Sequence, residues 1–216
     1  MKIYKIFILF LLISSFFLSA QSSQKILLDK LFDQLIKTKN INNAEKLEKK
    51  IWSVWSEHPN NNRLTEKLEF GTELMQYGDY NYALKIFDNI LVADPKWSEA
   101  WNKRATVYFL LSQYIDSLDD IDKVLNIEPR HFGALSGQAR IFIKQKKYEK
   151  AWNAFNTSIN FYPKIPDAHY NLGKLLLDSK GDPNLARRHL ELALAYNRSP
   201  YLKQEIDRLL EEILSP

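Results

Sequence analysis

The chain has 216 residues, room for one or two domains, and 45% hydrophobic with 26% charged residues is a balance that excludes disorder over most of its length. Six glycines are few for the turns of a β-sandwich or the phosphate loop of a dinucleotide-binding fold, and the lack of cysteine excludes disulfides, thiolate metal sites and Cys nucleophiles. The net charge is +4, but Lys2 and Lys5 belong to a leading apolar segment; without it 28 basic residues face 26 acidic ones, which gives no reason to expect nucleic acid.

The first element is that segment. Lys2 and Lys5 precede an apolar run from Ile6 to Leu18 that is broken only by Ser14 and Ser15, and Ser19-Ala20 then leads into the polar Gln21-Ser22-Ser23. This is the form of a secretory signal peptide over 1–20, with cleavage between Ala20 and Gln21. A thirteen-residue run is short of the roughly 20 apolar residues that a spanning helix needs. The alternative is an uncleaved anchor, the only contact with a membrane that the sequence suggests. Either way the rest of the chain is exported, to the periplasm or beyond.

Residues 21–62 read as a helix pair. Leu27, Leu28, Leu31, Phe32 and Leu35 have helical spacing, Asn40 to Asn43 is a turn, and Leu47, Ile51, Val54 and Trp55 mark a second helix. The pair is expected to cap the N-terminal end of the fold, with Trp52 and Trp55 in the core.

From there the sequence repeats. Pro59, Pro95, Pro129 and Pro163 follow similar phrases, 36, 34 and 34 residues apart, and Pro200 comes 37 later. With proline at position 32, position 8 is Gly71, Ala105, Ala139 and Gly173, position 17 is Tyr80, Tyr114 and Tyr148, position 20 is Ala83, Ser117 and Ala151, and position 24 is Phe87, Ile121 and Phe155. Each unit carries two apolar patterns of helical period, such as Trp101, Ala105, Tyr108, Phe109 and then Leu118, Ile121, Val124, Leu125. Small residues at 8 and 20 let two helices approach closely, and the proline ends the second. One such pair cannot bury its apolar face, but a stack can.

A 34-residue period with these positions resembles the tetratricopeptide repeat, over residues 64–197. The resemblance implies an all-α fold, a right-handed solenoid of stacked antiparallel helix pairs, with repeats at 64–97, 98–131, 132–165 and 166–199 within 63–200. The fourth departs from the pattern: Ser179-Lys180-Gly181-Asp182-Pro183-Asn184 makes its turn about one residue longer. The segment 201–216 then has one apolar side, Leu202, Ile206, Leu209, Leu210 and Ile213, as a terminal capping helix requires.

Residues for chemistry are scarce. His58, His131, His169 and His189 show no metal-ligand spacing, and Gly133 to Gly137 is not a nucleophile elbow. No catalytic group, cofactor site or metal site is expected. Asp116, Asp119, Asp120 and Asp122 read as a solvated helix face, with Arg104 reaching Asp119 or Asp120. Lys144 to Lys147 with Lys150 read as a solvated turn, and Trp97 as a partly exposed joint residue.

The resemblance also implies a concave wall built from positions 2, 5, 9 and 12 of each first helix. Its middle and late members, Asn102, Thr106, Phe109, Ser136, Arg140, Ile143, Tyr170 and Lys174, mix hydrogen-bonding and apolar groups and suit an extended peptide or a helix of another protein. The Lys and Asn set that clamps a C-terminal carboxylate in some members is lacking: Leu68 and Lys103 stand in its places. Two glycines inside one helix, Gly133 and Gly137, cost about 1 kcal/mol each against Ala. They are expected either to make room for Trp101 and Phe109 or to form a low floor for a ligand backbone. The function this implies is an exported interaction scaffold; a tethered envelope assembly factor and a wall-acting enzyme are the alternatives.

Overall fold

The computed structural model describes residues 22–179, 181–197 and 199–214. The signal segment with Ala20 and Gln21 lies outside these residues. Among those described there are eleven helices and no strand. They are α1 (22–37), α2 (Ile41–Ser56), α3 (Asn62–Gln76), α4 (Tyr80–Ala93), α5 (Ser98–Leu110), α6 (Tyr114–Ile127), α7 (Phe132–Lys144), α8 (Tyr148–Phe161), α9 (Pro166–Asp178), α10 (Pro183–Tyr196) and α11 (Pro200–Leu214). None of them is long and apolar enough to cross a membrane.

The pairs α3/α4, α5/α6, α7/α8 and α9/α10 stack in order, so the fold is an all-α solenoid of helix pairs. Ser98, Phe132 and Pro166 start successive first helices at the 34-residue period. Small residues sit where the helices touch. A Cβ on Gly71 would lie 2.7 Å from Phe87 Cε1, and one on Gly173 2.7 Å from Leu190 Cγ, while Ala105 and Ala139 are buried. The first three turns share one device. Gly78, Ser112 and Lys146 take φ of 84°, 61° and 58°, and the N–H of the residue after each bonds back five residues, to the carbonyls of Leu74, Tyr108 and Phe142. This is the Schellman ending of a helix. In the fourth repeat the same bond runs from the Gly181 N–H to the Leu176 carbonyl, and Asp182, one residue further on, caps α10 through the N–H groups of Asn184 and Leu185. At the far end α11 lays Ile206 and Leu209 against Leu190 and Ala193.

Arg104 pairs as expected with Asp120, Nε to Oδ2 at 2.8 Å and Nη2 to Oδ1 at 2.7 Å, and also reaches Asp88 of the preceding second helix. The Asp120 carboxylate is buried, so this fork ties α4, α5 and α6 together more firmly than a surface pair would.

The N-terminal pair departs from expectation. It does not continue the stack at α3; it lies across the joints of the array. Leu28, Leu31, Phe32, Leu35, Ile51 and Trp55 form one core cluster with Phe132, Tyr162, Ile165 and residues of α8 and α9. The landing positions are periodic. Trp97, His131 and Ile165 precede α5, α7 and α9 at equivalent places in the repeat, and all three are buried. Trp97 Nε1 donates to the Trp55 carbonyl at 2.8 Å, so this tryptophan is buried rather than partly exposed. His131 stacks on Trp55, and Ile165 joins the shared cluster. Polar ties flank this line: Arg130 to Asp29 at 2.8 Å, Tyr162 Oη to Glu48 at 2.9 Å, and Lys164 Nζ to the Thr38 carbonyl at 2.5 Å. Asn40 caps α2 from the Asn43 N–H, so the expected turn at Asn40 to Asn43 is already helix from Ile41 on.

Candidate functional site

Because α2 lies across the joints, the first helices of the second and third repeats face a second wall. Between them is a cleft of about 460 Å³. One side is α2, which presents Ile41, Glu45, Glu48 and Trp52, successive positions on one helical stripe. The other side is α5 with Asn102, Thr106 and Phe109, and α7 with Gly133, Ser136, Gly137 and Arg140. Tyr162, Lys164, Asp167 and Tyr196 close one end.

Of the residues expected on the concave wall, the structure gathers Asn102, Thr106, Phe109, Ser136 and Arg140 in this cleft. It does not bring Ile143, Tyr170 or Lys174 there. Ile143 packs against the cluster under the N-terminal pair, Tyr170 packs on the α10–α11 cluster, and Lys174 lies 3.6 Å from Asp178 on its own helix. Two of the gathered groups are partly committed inside the protein. Asn102 Nδ2 donates to Glu99 Oε2 at 3.1 Å, and Thr106 Oγ1 donates to the Asn102 carbonyl. The α2 wall was not expected, since its stripe has no counterpart in the repeat.

Below the cleft lies a buried histidine–carboxylate pair. Glu99 and His131 are fully inaccessible, with Nε2 of His131 2.9 Å from Glu99 Oε2. The Ala134 N–H donates to Nδ1, so Nε2 carries the proton and donates to the carboxylate. Burial alone would push the Glu99 carboxyl up, but the His131 hydrogen bond and the Lys103 ammonium 3.2 Å away hold it below the usual range. At the closed end, burial pushes the Glu48 carboxyl up against its hydrogen bond from Tyr162, and the charges of Asp167 and Glu45 add to that shift. The cleft is therefore acidic around Tyr162. Along α7 its charge is Arg140, for which the described residues supply no hydrogen bond or ion pair.

The glycines of α7 separate. Gly133 makes room for Trp52, whose Cη2 would lie 2.5 Å from an added Cβ; the neighbour is α2, not Trp101 or Phe109. Gly137 has only Ile121 Cδ1, at 3.6 Å, in ordinary contact.

The remaining histidines sit in packing positions. His58 Nε2 is 2.9 Å from Asp94 Oδ2 at the first joint, and His169 and His189 meet Nδ1 to Nδ1 at 3.0 Å between α9 and α10. Among the described residues no three His, Asp or Glu side chains are grouped to hold a metal.

Known proteins agree with this architecture. The TPR repeat family model matches residues 139–180. A TPR repeat-containing protein of Rhizobium etli is 32% identical over 145 residues, which is 67% of this chain and 71% of that protein. The solved structure of Pseudomonas aeruginosa pilF superposes with a TM-score of 0.62 at 24% identity, over 69% of this chain and 68% of that one. The first TPR of Spaghetti (RPAP3), solved bound to an HSP90 peptide, gives a TM-score of 0.53 at 19% identity, over 56% of this chain and 97% of that one. With its period, its helix pairs and its Rhizobium relative in agreement, the chain belongs to the tetratricopeptide-repeat family.

Proposed function

We propose that the protein is an exported interaction scaffold that holds an extended peptide or a helix of an envelope partner in the cleft between α2 and the first helices of the second and third repeats. The observation that carries this reading is the double wall. Members of α5 and α7 offer Thr106, Ser136 and Arg140 for polar contact and Phe109 for apolar contact, and Trp52 of α2 closes over them from the other side. A cleft of mixed lining bounded on two sides suits a protein segment. The peptide bound to the first TPR of Spaghetti is a precedent for such an occupant on this fold. Export is read from the first twenty residues, Met1 to Ala20, and an N-terminus at Gln21 in the protein isolated from cells would support it, whereas Met1 would favour the anchored form.

The test of the site is crosslinking capture from envelope membranes, followed by binding of the identified partner in purified form. Ser136→Trp fills the cleft from α7. Loss of the partner with an unchanged melting temperature supports the reading; a partner retained at full affinity moves the site elsewhere.

A further inference from the structure

Gly137 lies in the middle of α7, where glycine weakens a helix. Neither of the usual reasons accounts for it. Its φ is not in the left-handed region, and a Cβ there would meet only Ile121 at ordinary contact distance. What the missing side chain preserves is open space over the α7 main chain, on the cleft side. Three residues on, Arg140 fronts the same cleft and is exposed. Arg104 and Arg130 are each held by two carboxylates, Asp120 with Asp88 and Glu128 with Asp29. Arg140 meets no carboxylate among the described residues, and its neighbours one turn away on α7 are Ser136, Gly137, Ile143 and Lys144. The acidic groups of the cleft form no ion pair with it. They gather around Tyr162, while Arg140 lies seven residues beyond the point where Trp52 touches α7, about 10 Å along the helix.

Resting on the reading of the cleft as the binding site, we propose that Arg140 anchors one Asp or Glu side chain of an extended partner segment whose main chain passes over Gly137. A guanidinium matches a carboxylate with two parallel hydrogen bonds, and the bare backbone at Gly137 allows the close approach that this requires. The acidic end of the cleft repels a second carboxylate, so the segment is acidic at one place and not along its length.

The test is selection of random nine-residue peptides displayed on phage with their C-termini fused, so that no free terminal carboxylate is offered to the purified protein. The expected consensus has one shared acidic position. In a synthetic, C-terminally amidated consensus peptide, changing that residue to its amide lowers affinity about tenfold. Arg140→Gln does the same, and the two losses together are no larger than either alone. Gly137→Ala weakens binding several-fold without lowering the melting temperature, which separates a ligand role from a packing role. Peptides selected without a shared acid, or bound equally by Arg140→Gln, overturn the inference and leave the scaffold reading standing. A cleft that selects no peptide overturns both.

Discussion

The imidazole of His131 lies face to face with the indole of Trp55, ring centroids 4.0 Å apart and 12° from parallel. The same imidazole caps α7 through Nδ1 and holds the buried Glu99 through Nε2. One joint residue therefore fixes the N-terminal pair, a helix start and a buried charge together. His131→Leu leaves the Glu99 carboxylate buried with Lys103 and the Asn102 amide beside it. The expected loss is about 2–5 kcal/mol of unfolding free energy, from the hydrogen bond to the carboxylate and the helix cap together, measured by urea denaturation. Replacing both, as His131→Leu with Glu99→Leu, removes the stranded charge, and the double variant is expected to lose less than the sum of the singles. Additive losses would mean that the two groups are not coupled.

His169 and His189 give the fold a pH dependence of definite sign. Nε2 of His169 faces the Pro163 carbonyl, which only accepts, so Nδ1 is left to accept from Nδ1–H of His189. Burial pushes His169 below its ordinary value. Burial, His169 and the nearby Arg188 push His189 down to about 4. The unfolded chain therefore binds protons between pH 6.5 and 4 that the folded chain does not, and stability falls as pH drops through that window. The melting temperature is expected to fall by several degrees from pH 7 to pH 5, above the range where Glu99, whose depressed carboxyl adds its own loss, is protonated. His189→Asn keeps a donor toward His169 and removes the titrating group, so its profile flattens over this window. A wild-type profile flat between pH 7 and 5 would refute the assignment.

The left-handed turn positions respond to substitution in opposite directions. Ser112 and Lys146 hold a conformation that costs an ordinary residue about 1–2 kcal/mol, at the places equivalent to Gly78. Glycine removes that strain at some cost in chain entropy, so Ser112→Gly and Lys146→Gly are each expected to gain about 0.5–1 kcal/mol. Nothing lies within 4 Å of a Cβ at Gly78, so Gly78→Ala isolates the strain and is expected to lose about 1 kcal/mol. Thermal unfolding of the three single variants reads all three signs.

What the sequence discloses is what the repeat encodes locally. Gly71, Ala105, Ala139 and Gly173 recur because two helices of one pair must touch there, and Arg104 with Asp120 is readable because sixteen residues separate two helices of one repeat. The placement of α2 is different in kind. The contacts that place it join residues of the N-terminal pair and its turn to residues far along the chain, Glu48 with Tyr162 and Thr38 with Lys164, and the pair carries no copy of the period to register them. Trp97 illustrates the consequence: a joint residue is surface until an element outside the repeats covers it, and Trp55 does so. The concave residues Asn102, Thr106, Phe109, Ser136 and Arg140 follow from the period, and their facing wall does not.

That wall makes Gly133 and Gly137 a matched pair of opposite sign. Gly137 stands in the interior of α7 and Gly133 in its first turn, and on helix propensity alone alanine would gain about 1 kcal/mol at Gly137 and less at Gly133. At Gly137 the propensity gain is expected nearly in full, since the new methyl meets Ile121 at 3.6 Å. At Gly133 the methyl would arrive 2.5 Å from the Trp52 ring, which is held edge-on against Trp55, His131 and Phe132. Overpacking of this kind costs about 1–3 kcal/mol, more than the propensity gain. Gly133→Ala is therefore expected to destabilise and Gly137→Ala to stabilise. The check is a pair of melting curves with tryptophan emission recorded alongside: a red shift in Gly133→Ala alone reports Trp52 leaving its contact. Equal gains in both variants would mean that α2 does not sit on α7, and the cleft would lose its second wall.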